Sequence, residues 1–435
     1  MNWEKFVFKK ISIWIVMLIL IFGFIITITF GALVHYRAKG GDRFKFTASI
    51  IDRLIALPIY TLKIFKPDIN GLALEQKSYK NLSGLNLYKK NTDGYLLLSK
   101  IDENYEKPKV DLINIKKNKI IHTWKFNPLN DDNYKSRLNK YFLENTSPVY
   151  QMKHPFLFEN GDLLFKNQDG PLVLIDKCSK IKWVKNGFYH HSIEMDHNGD
   201  LWVNSRIKSN NILEDAIEKI SKNGETKFKK SVNKILQENN LQNLIVTAKD
   251  PDDPIHINDI QPSLIDGPFW KKGDLFLSLR NLSMIMLYRP VTNKVLWYQQ
   301  GPWVYQHDVD IINQNKISIY NDNLDLSKTE VNGTNETLIY DFSNNKITNP
   351  YKKAFEINQV KTPAAGLSQI LNNGEIFVEE TLNGRILRMN KNGKVVWEYI
   401  NRSQNNKIYF LSWSRFLQNA QTTKPILDNL SKSCQ

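Results

Sequence analysis

Two unlike turn phrases recur along this chain, and together they restrict its fold more than any other feature. The first is an apolar strand, a turn of Asn, Gly, Lys or Asp, and a second strand. It occurs at 115–124, 175–183, 288–297 and 389–397, closing on Trp124, Trp183, Trp297 and Trp397, with shorter copies at 220–225 and 340–347. The second is a Gly or Asn turn into a strongly β-prone strand, at 93–98, 160–164, 198–203, 273–277, 315–319 and 373–378. In each, a residue suited to positive φ reverses the chain before period-two patterning resumes. Two turns per unit imply four strands per unit, the content of a propeller blade. The expected fold is therefore all-β, a six-bladed β-propeller over residues 75–420. A β-sandwich would not need the repeat.

Residues 11–36 contain no Asp, Glu, Lys or Arg. That run is long enough to cross a hydrocarbon core as a helix. A secretory signal would have a shorter apolar core and a small-residue cleavage site after it. A transmembrane helix is therefore expected at 11–36, behind a cytoplasmic tail at 1–10. Flanking charge nearly cancels, Lys5, Lys9 and Lys10 facing Arg37, Lys39, Arg43 and Lys45, so orientation rests on the short tail before the span and the large domain after it. Residues 37–74 carry apolar positions at helical spacing, broken near Pro58, and are expected as a juxtamembrane helical linker. The polar stretch 207–249 (EDAIEKI, then SVNKILQENNLQ) is expected as a helical insertion, and 421–435 as a C-terminal tail.

The formal net charge of +15 raises the question of a nucleic-acid partner. The lysines are scattered rather than clustered, so a solvated basic surface is expected and no nucleic-acid binding. Two cysteines, Cys178 and Cys434, exclude both a disulfide framework and a cysteine zinc site. Whether they pair across their long loop in an oxidising compartment is left open by the sequence.

Counting back from each Gly or Asn turn places a histidine near the head of the preceding strand. His191 lies eight residues before Gly199, His307 eight before Asn315 and His154 seven before Gly161, while His256 holds the matching place in its unit and Gly366 in the last. The innermost strands of a propeller line its axis, so such positions converge. Four of the chain's eight histidines share this register; His190 adjoins His191 and competes for its role. Such a cluster suits two chemistries. Neutral imidazoles can ligate a transition metal, or one imidazole can attack an electrophile while its neighbours hold the anionic group in transfer. Arg280, on the blade of His256, favours an oxyanion and would repel a cation.

The segments 189–193 (YHHSI), 256–259 (HIND), 278–281 (SLRN) and 306–310 (QHDVD) resemble, in content and order, the arylsulfate sulfotransferase family of bacterial β-propeller enzymes. The resemblance covers about residues 150–400. It implies transfer of a sulfuryl group from a phenolic sulfate to a phenolic acceptor, by ping-pong kinetics through a sulfohistidine, without PAPS, cofactor or metal. It implies His307 as nucleophile. His256, Arg280 and His191 would bind the sulfuryl oxygens and assist proton transfer, with Asn258 a neighbouring donor. His190 and His154 are further candidates for substrate binding; His154 fits the register but none of the matched motifs. Val378–Thr381, Arg385 and Trp413-Ser414-Arg415 are polar or aromatic, and either line an acceptor pocket, with Arg415 binding substrate, or form solvated strand faces. With the membrane span, the implied location is the bacterial inner membrane, single-pass, with the propeller in the periplasm; the oligomeric state is open. Two alternatives stand beside this one, a metal-dependent propeller oxygenase with four histidine ligands and a non-catalytic propeller scaffold of the cell envelope.

Overall fold

The computed structural model describes residues 12–38, 79–90, 92–101, 108–144, 150–209, 212–246, 253–325, 330–418 and 420–434. The expected tail 1–10 and almost all of the expected linker 37–74 lie outside these residues. Two compact units divide the chain, 1–67 with 240–254 and 68–239 with 255–435.

The first unit contains the helix Ile13–Ala38. Its segment Ile13–Leu33 has a mean hydropathy of 2.8 and is apolar on every side, with none of it buried. The hydroxyls of Thr27 and Thr29 donate to the carbonyls of Gly23 and Ile25, both at 2.8 Å, so these polar groups are satisfied within the helix. By length and composition the helix fits a membrane anchor or a signal sequence.

The second unit is all-β and propeller-like, and its strands pair antiparallel throughout. One sheet runs in sequence order through Ile257–Pro262, Leu275–Leu279, Met284–Arg289 and Lys294–Gln300, and the next through Val309–Asn313, Lys316–Asn321, Glu336–Asp341 and Lys346–Thr348. Leu367–Ile370, Ile376–Glu380, Arg385–Met389 and Val395–Ile400 form a third, to whose edge the early strand Gly84–Leu87 adds. In the fourth, Arg415–Leu417 pairs as the first strand with Tyr95–Lys100, followed by Lys109–Asn114 and Lys119–Lys125. Late and early segments thus share two sheets. The fifth runs in order through seven strands from Lys153–Leu157 to Thr226–Ser231. Its middle strand, Ile181–Met195, is 15 residues long and pairs with Gly170–Ile175 along its first part and Leu201–Ser209 along its last.

The sheets do not separate into six equal four-stranded blades as expected, because this long strand joins what would be two of them. The expected helical insertion at 207–249 is also corrected. Leu201–Ser209, Ile212–Ile220 and Thr226–Ser231 are strands, and helix begins only at Val232–Glu238, followed by the short Asn243–Val246. EDAIEKI satisfies helical spacing, but Asp215, Ala216, Ile217 and Glu218 are all buried, as a strand covered on both faces requires.

The core lies between neighbouring sheets. Leu97, Val110, Leu112 and Trp124 pack against Leu163, Phe165, Val173 and Ile175. Phe276, Ile285 and Leu287 meet Val309, Ile317 and Ile319 in the same way. The tryptophans that close the hairpin phrase anchor these layers: Trp124 is wholly buried and donates from Nε1 to the Gly161 carbonyl at 3.0 Å. Gly161 is the turn glycine of the second phrase and takes φ 87°, where an L side chain would be strained.

The C-terminal segment is not a loose tail. Ala420–Leu430 is a helix, Leu427 and Leu430 pack on the core beside Trp124, and Cys434 forms a disulfide with Cys178 in the hairpin turn after Gly170–Ile175. Lys177 adds hydrogen bonds to the carbonyls of Asn429 and Lys432. The bridge spans 256 residues of sequence, and closing a loop of that size restricts the unfolded chain strongly. Replacing both cysteines by serine is expected to lower the unfolding free energy by about 2–4 kcal/mol. Calorimetry with and without reductant checks this: reduced wild type and the double variant should melt together, below oxidised wild type.

Candidate active site

The site is built on a backbone conformation that recurs at the strand heads. His154, His191, His256, Tyr305, Ala365 and Trp413 have φ of 48°, 51°, 51°, 55°, 61° and 62°. Left-handed backbone costs a non-glycine residue of the order of 1–3 kcal/mol and persists only where the surroundings hold it. Here neighbouring strands do so: the amide of His154 donates to the Ser412 carbonyl, the carbonyl of His256 accepts from the Arg280 amide, and the buried Lys166 ammonium donates to the His191 carbonyl.

His307 does not occupy this position in its unit; Tyr305 does. The side chain of Asp259 accepts from the Val309 amide, and that of Asp308 from the Ser368 amide, both at 3.1 Å, which aligns Asp308 with Asp259 and therefore His307 with Asn258. Ala365, not Gly366, takes the place in the last unit. Counting from the turns misplaces these because the pairing of the first strands is bulged, as between Ile257 and Asp259 and between Ile311 and Asn313.

The imidazoles nevertheless gather. The ring of His191 lies 5.0 Å from that of His256, 6.1 Å from His307 and 6.0 Å from His154, centroid to centroid. His307 is buried, its Nδ1 lies 2.7 Å from Asp322 Oδ2, and its Nε2 accepts the Ala365 amide at 3.0 Å. Donation from Nδ1 to the carboxylate fixes the tautomer and leaves the lone pair on Nε2. Asp322 is the functional residue that the sequence hid, since an Asp just after a strand is an ordinary turn residue. Burial pushes its carboxyl up, while His307 and Arg280 oppose that shift. Arg280 stands where expected, beside His256; its guanidinium lies over the Tyr305 ring at 4.2 Å and donates to Asn281. His154 and His191 are both held well below the usual imidazole range, first by burial and then by Lys166, Lys153 and Arg415 around His154 and by the neighbouring imidazoles around His191.

Three further candidates make contacts within the fold. His190 is fully buried behind His191, so it is not a substrate contact. Asn258 is also fully buried and donates to the Gln306 carbonyl, supporting the chain that carries His307. Arg415 gives its guanidinium to the carbonyls of Pro155 and Ile193 and to Glu194 at 2.9 Å, tying three strands together. It lines a cavity of about 310 Å³ with His154, Glu194, Asp308, Asp310 and Trp413. Among the described residues no group of three or more His, Cys, Asp or Glu is disposed to hold a metal ion.

An all-β, propeller-like protein with a buried imidazole held by a carboxylate, and further imidazoles and a guanidinium around it, is thus in place. The family model of arylsulfotransferases (ASST) matches residues 154–402, more than half of the chain. The chain belongs to the arylsulfotransferase family. No curated protein matches it. Among solved structures it is similar to a protein of unknown function from Bacteroides caccae, at 12% identity and a TM-score of 0.48, over 75% of this chain and 100% of that one. It is also similar to the WD40 β-propeller domain of Doa1 (10%, 0.40, over 76% and 99%) and to virginiamycin B lyase from Staphylococcus aureus (13%, 0.34, over 57% and 69%). These likenesses are distant and carry no functional weight.

Glu379 illustrates how the site is closed. Its buried carboxylate accepts from the amides of Trp413 at 2.9 Å and Ser414 at 2.7 Å and from the Thr381 hydroxyl. Burial pushes it up to about 7 despite those donors. A carboxyl whose pKa is raised on folding favours the folded state below the ordinary carboxylate range and loses that contribution as the pH rises towards about 7. Against Glu379→Gln, wild-type stability is expected to fall by about 3 kcal/mol between pH 4 and pH 8. Denaturant unfolding of both proteins across that range measures the difference, and a constant gap would refute it.

Proposed function

We propose that this protein is a membrane-anchored aryl sulfotransferase that moves a sulfuryl group from a phenolic sulfate ester to a phenolic acceptor, PAPS-independently, through a sulfohistidine at His307. The observation that carries this is the His307 environment, with Nδ1 on Asp322, the lone pair on Nε2, and His191, His256 and Arg280 about it. In the first half-reaction Nε2 gives up the Ala365 amide and attacks sulfur, the bond from sulfur to the phenolic oxygen breaks, and the phenolate leaves. In the second, the acceptor's oxygen attacks the same sulfur and the N–S bond breaks. Asp322 offsets the positive charge that the substituted imidazole acquires, and Arg280 with His256 stabilises the sulfuryl oxygens.

The fold is proposed as six-bladed. Six left-handed strand heads and a long strand that pairs on both sides support a count in which Ile181–Met195 closes one blade and opens the next. The apolar helix Ile13–Leu33 supports a single-pass anchor in a bacterial inner membrane, and the Cys178–Cys434 bridge supports a periplasmic propeller, since disulfides persist in oxidising compartments.

Incubating the protein with a chromogenic aryl sulfate is expected to release one equivalent of phenol in a burst and to leave one SO₃ on the peptide containing His307. His307→Ala should abolish both, a loss of about 10³-fold or more. Asp322→Asn should lower kcat by about 10²–10⁴-fold with little change in KM. If neither phenol release nor a sulfated His307 peptide is found across a panel of donors, the proposal fails.

A further inference from the structure

Behind His191 stands an imidazole for which sulfuryl binding has no use. His190 is 0% exposed and cannot touch a substrate. Its Nδ1 lies 2.7 Å from Nδ1 of His191, and its Nε2 lies 3.3 Å from Asp215 Oδ1, within ion-pair distance. Asp215 is itself buried, its Oδ2 accepting the Ile257 amide at 2.9 Å and its Oδ1 the Arg206 Nε at 3.2 Å. A carboxylate, a buried imidazole and the site imidazole therefore stand in line.

The contact between the two Nδ1 atoms needs one proton, because two N–H groups or two lone pairs at that distance repel. When His190 carries a proton on both nitrogens, its charge faces Asp215, its Nδ1–H donates to His191, and His191 presents Nε2–H to the site. When His190 is neutral with its proton on Nε2, His191 donates from Nδ1 and presents a bare Nε2. The two arrangements differ by one proton, and they turn His191 from an acid into a base.

We propose that Asp215, His190 and His191 form a relay that stores the phenol's proton between the two half-reactions. It rests on the sulfuryl-transfer reading above. As the donor's phenolate leaves, His191 Nε2–H protonates its oxygen and His191 Nδ1 takes the proton from His190, which becomes neutral. As the acceptor attacks, its hydroxyl proton passes to His191 Nε2, and the Nδ1 proton returns to His190. Protons balance over the cycle without solvent. The surroundings suit this division: His154, His256 and His307 surround His191 and disfavour a cation on its ring. Burial alone would raise Asp215, but His190, His256 and Arg206 together hold its carboxyl below the ordinary range, as an anion facing His190. His190 and Asp215 act through His191 and are positioning residues; His191 is the catalytic acid and base.

The test uses the full chain with aryl sulfates of graded leaving-group pKa, comparing wild type with His190→Gln and Asp215→Asn. Acidic phenols leave unaided, so the loss in either variant should grow along the series to about 10²-fold for weakly acidic phenols, steepening the dependence of rate on leaving-group pKa. An equal loss across the series would assign the pair a structural role and overturn the relay. Nitrogen-15 NMR of labelled histidines gives an answer independent of turnover: in wild type a coupling across the Nδ1···Nδ1 contact of His190 and His191 should reveal the shared proton, and its absence overturns the proposal. Absence of a sulfated His307 in wild type would instead overturn the transfer reading itself, before any variant is compared.

Discussion

Left-handed backbone at the heads of the inner strands is the constraint on which the rest of the site depends. An imidazole on regular strand would alternate with its neighbours and point along a sheet face. A single residue at φ near 50° breaks that alternation, and at His154, His191 and His256 it turns the side chain into the cluster. The cost of holding three histidines so is met by contacts from adjoining strands, including the buried Lys166, which donates to the His191 carbonyl. In two other units the same conformation serves neighbours instead: Tyr305 receives the Arg280 guanidinium, and Ala365 points its amide at His307.

Repetition made the fold legible. Each turn phrase had one plausible structure, and Gly161, Gly199, Gly273 and Gly374 all take the positive φ that their places demand. Single segments were less readable. EDAIEKI lacks turn chemistry, and its helical spacing concealed a strand buried on both faces; burial of Asp215 and Glu218 could not be foreseen without their partners Arg206, Lys229 and Thr226.

The site was legible in identity and less so in geometry. The rings of His191, His256 and His307 gather and the Arg280 amide pairs with the His256 carbonyl, although the count from the turns misplaced His307. Bulges of one or two residues then decide which of them is left-handed, and such slips leave no mark in composition. Carboxylates that face a buried imidazole are harder still. Asp322 follows His307 by 15 residues and Asp215 follows His190 by 25, separations fixed by strand length and blade curvature rather than by a motif. Arg415 shows the converse, a residue with the right charge in the right layer whose guanidinium is engaged by the carbonyls of Pro155 and Ile193 and by Glu194.

The pairing of Tyr95–Lys100 with Arg415–Leu417 joins an early segment to a very late one. The first sheet to be synthesised lacks its innermost strand until more than 300 residues later. Until then an unpaired strand edge stays open on the early segment, a template for misassociation. Loop closure over such a distance is slow compared with forming the hairpins between. The last strand completes the sheet of Tyr95–Lys100, and the residues just before it, Trp413 and Ser414, donate to Glu379. A shared sheet and a disulfide thus both fasten the C-terminal segment to much earlier strands.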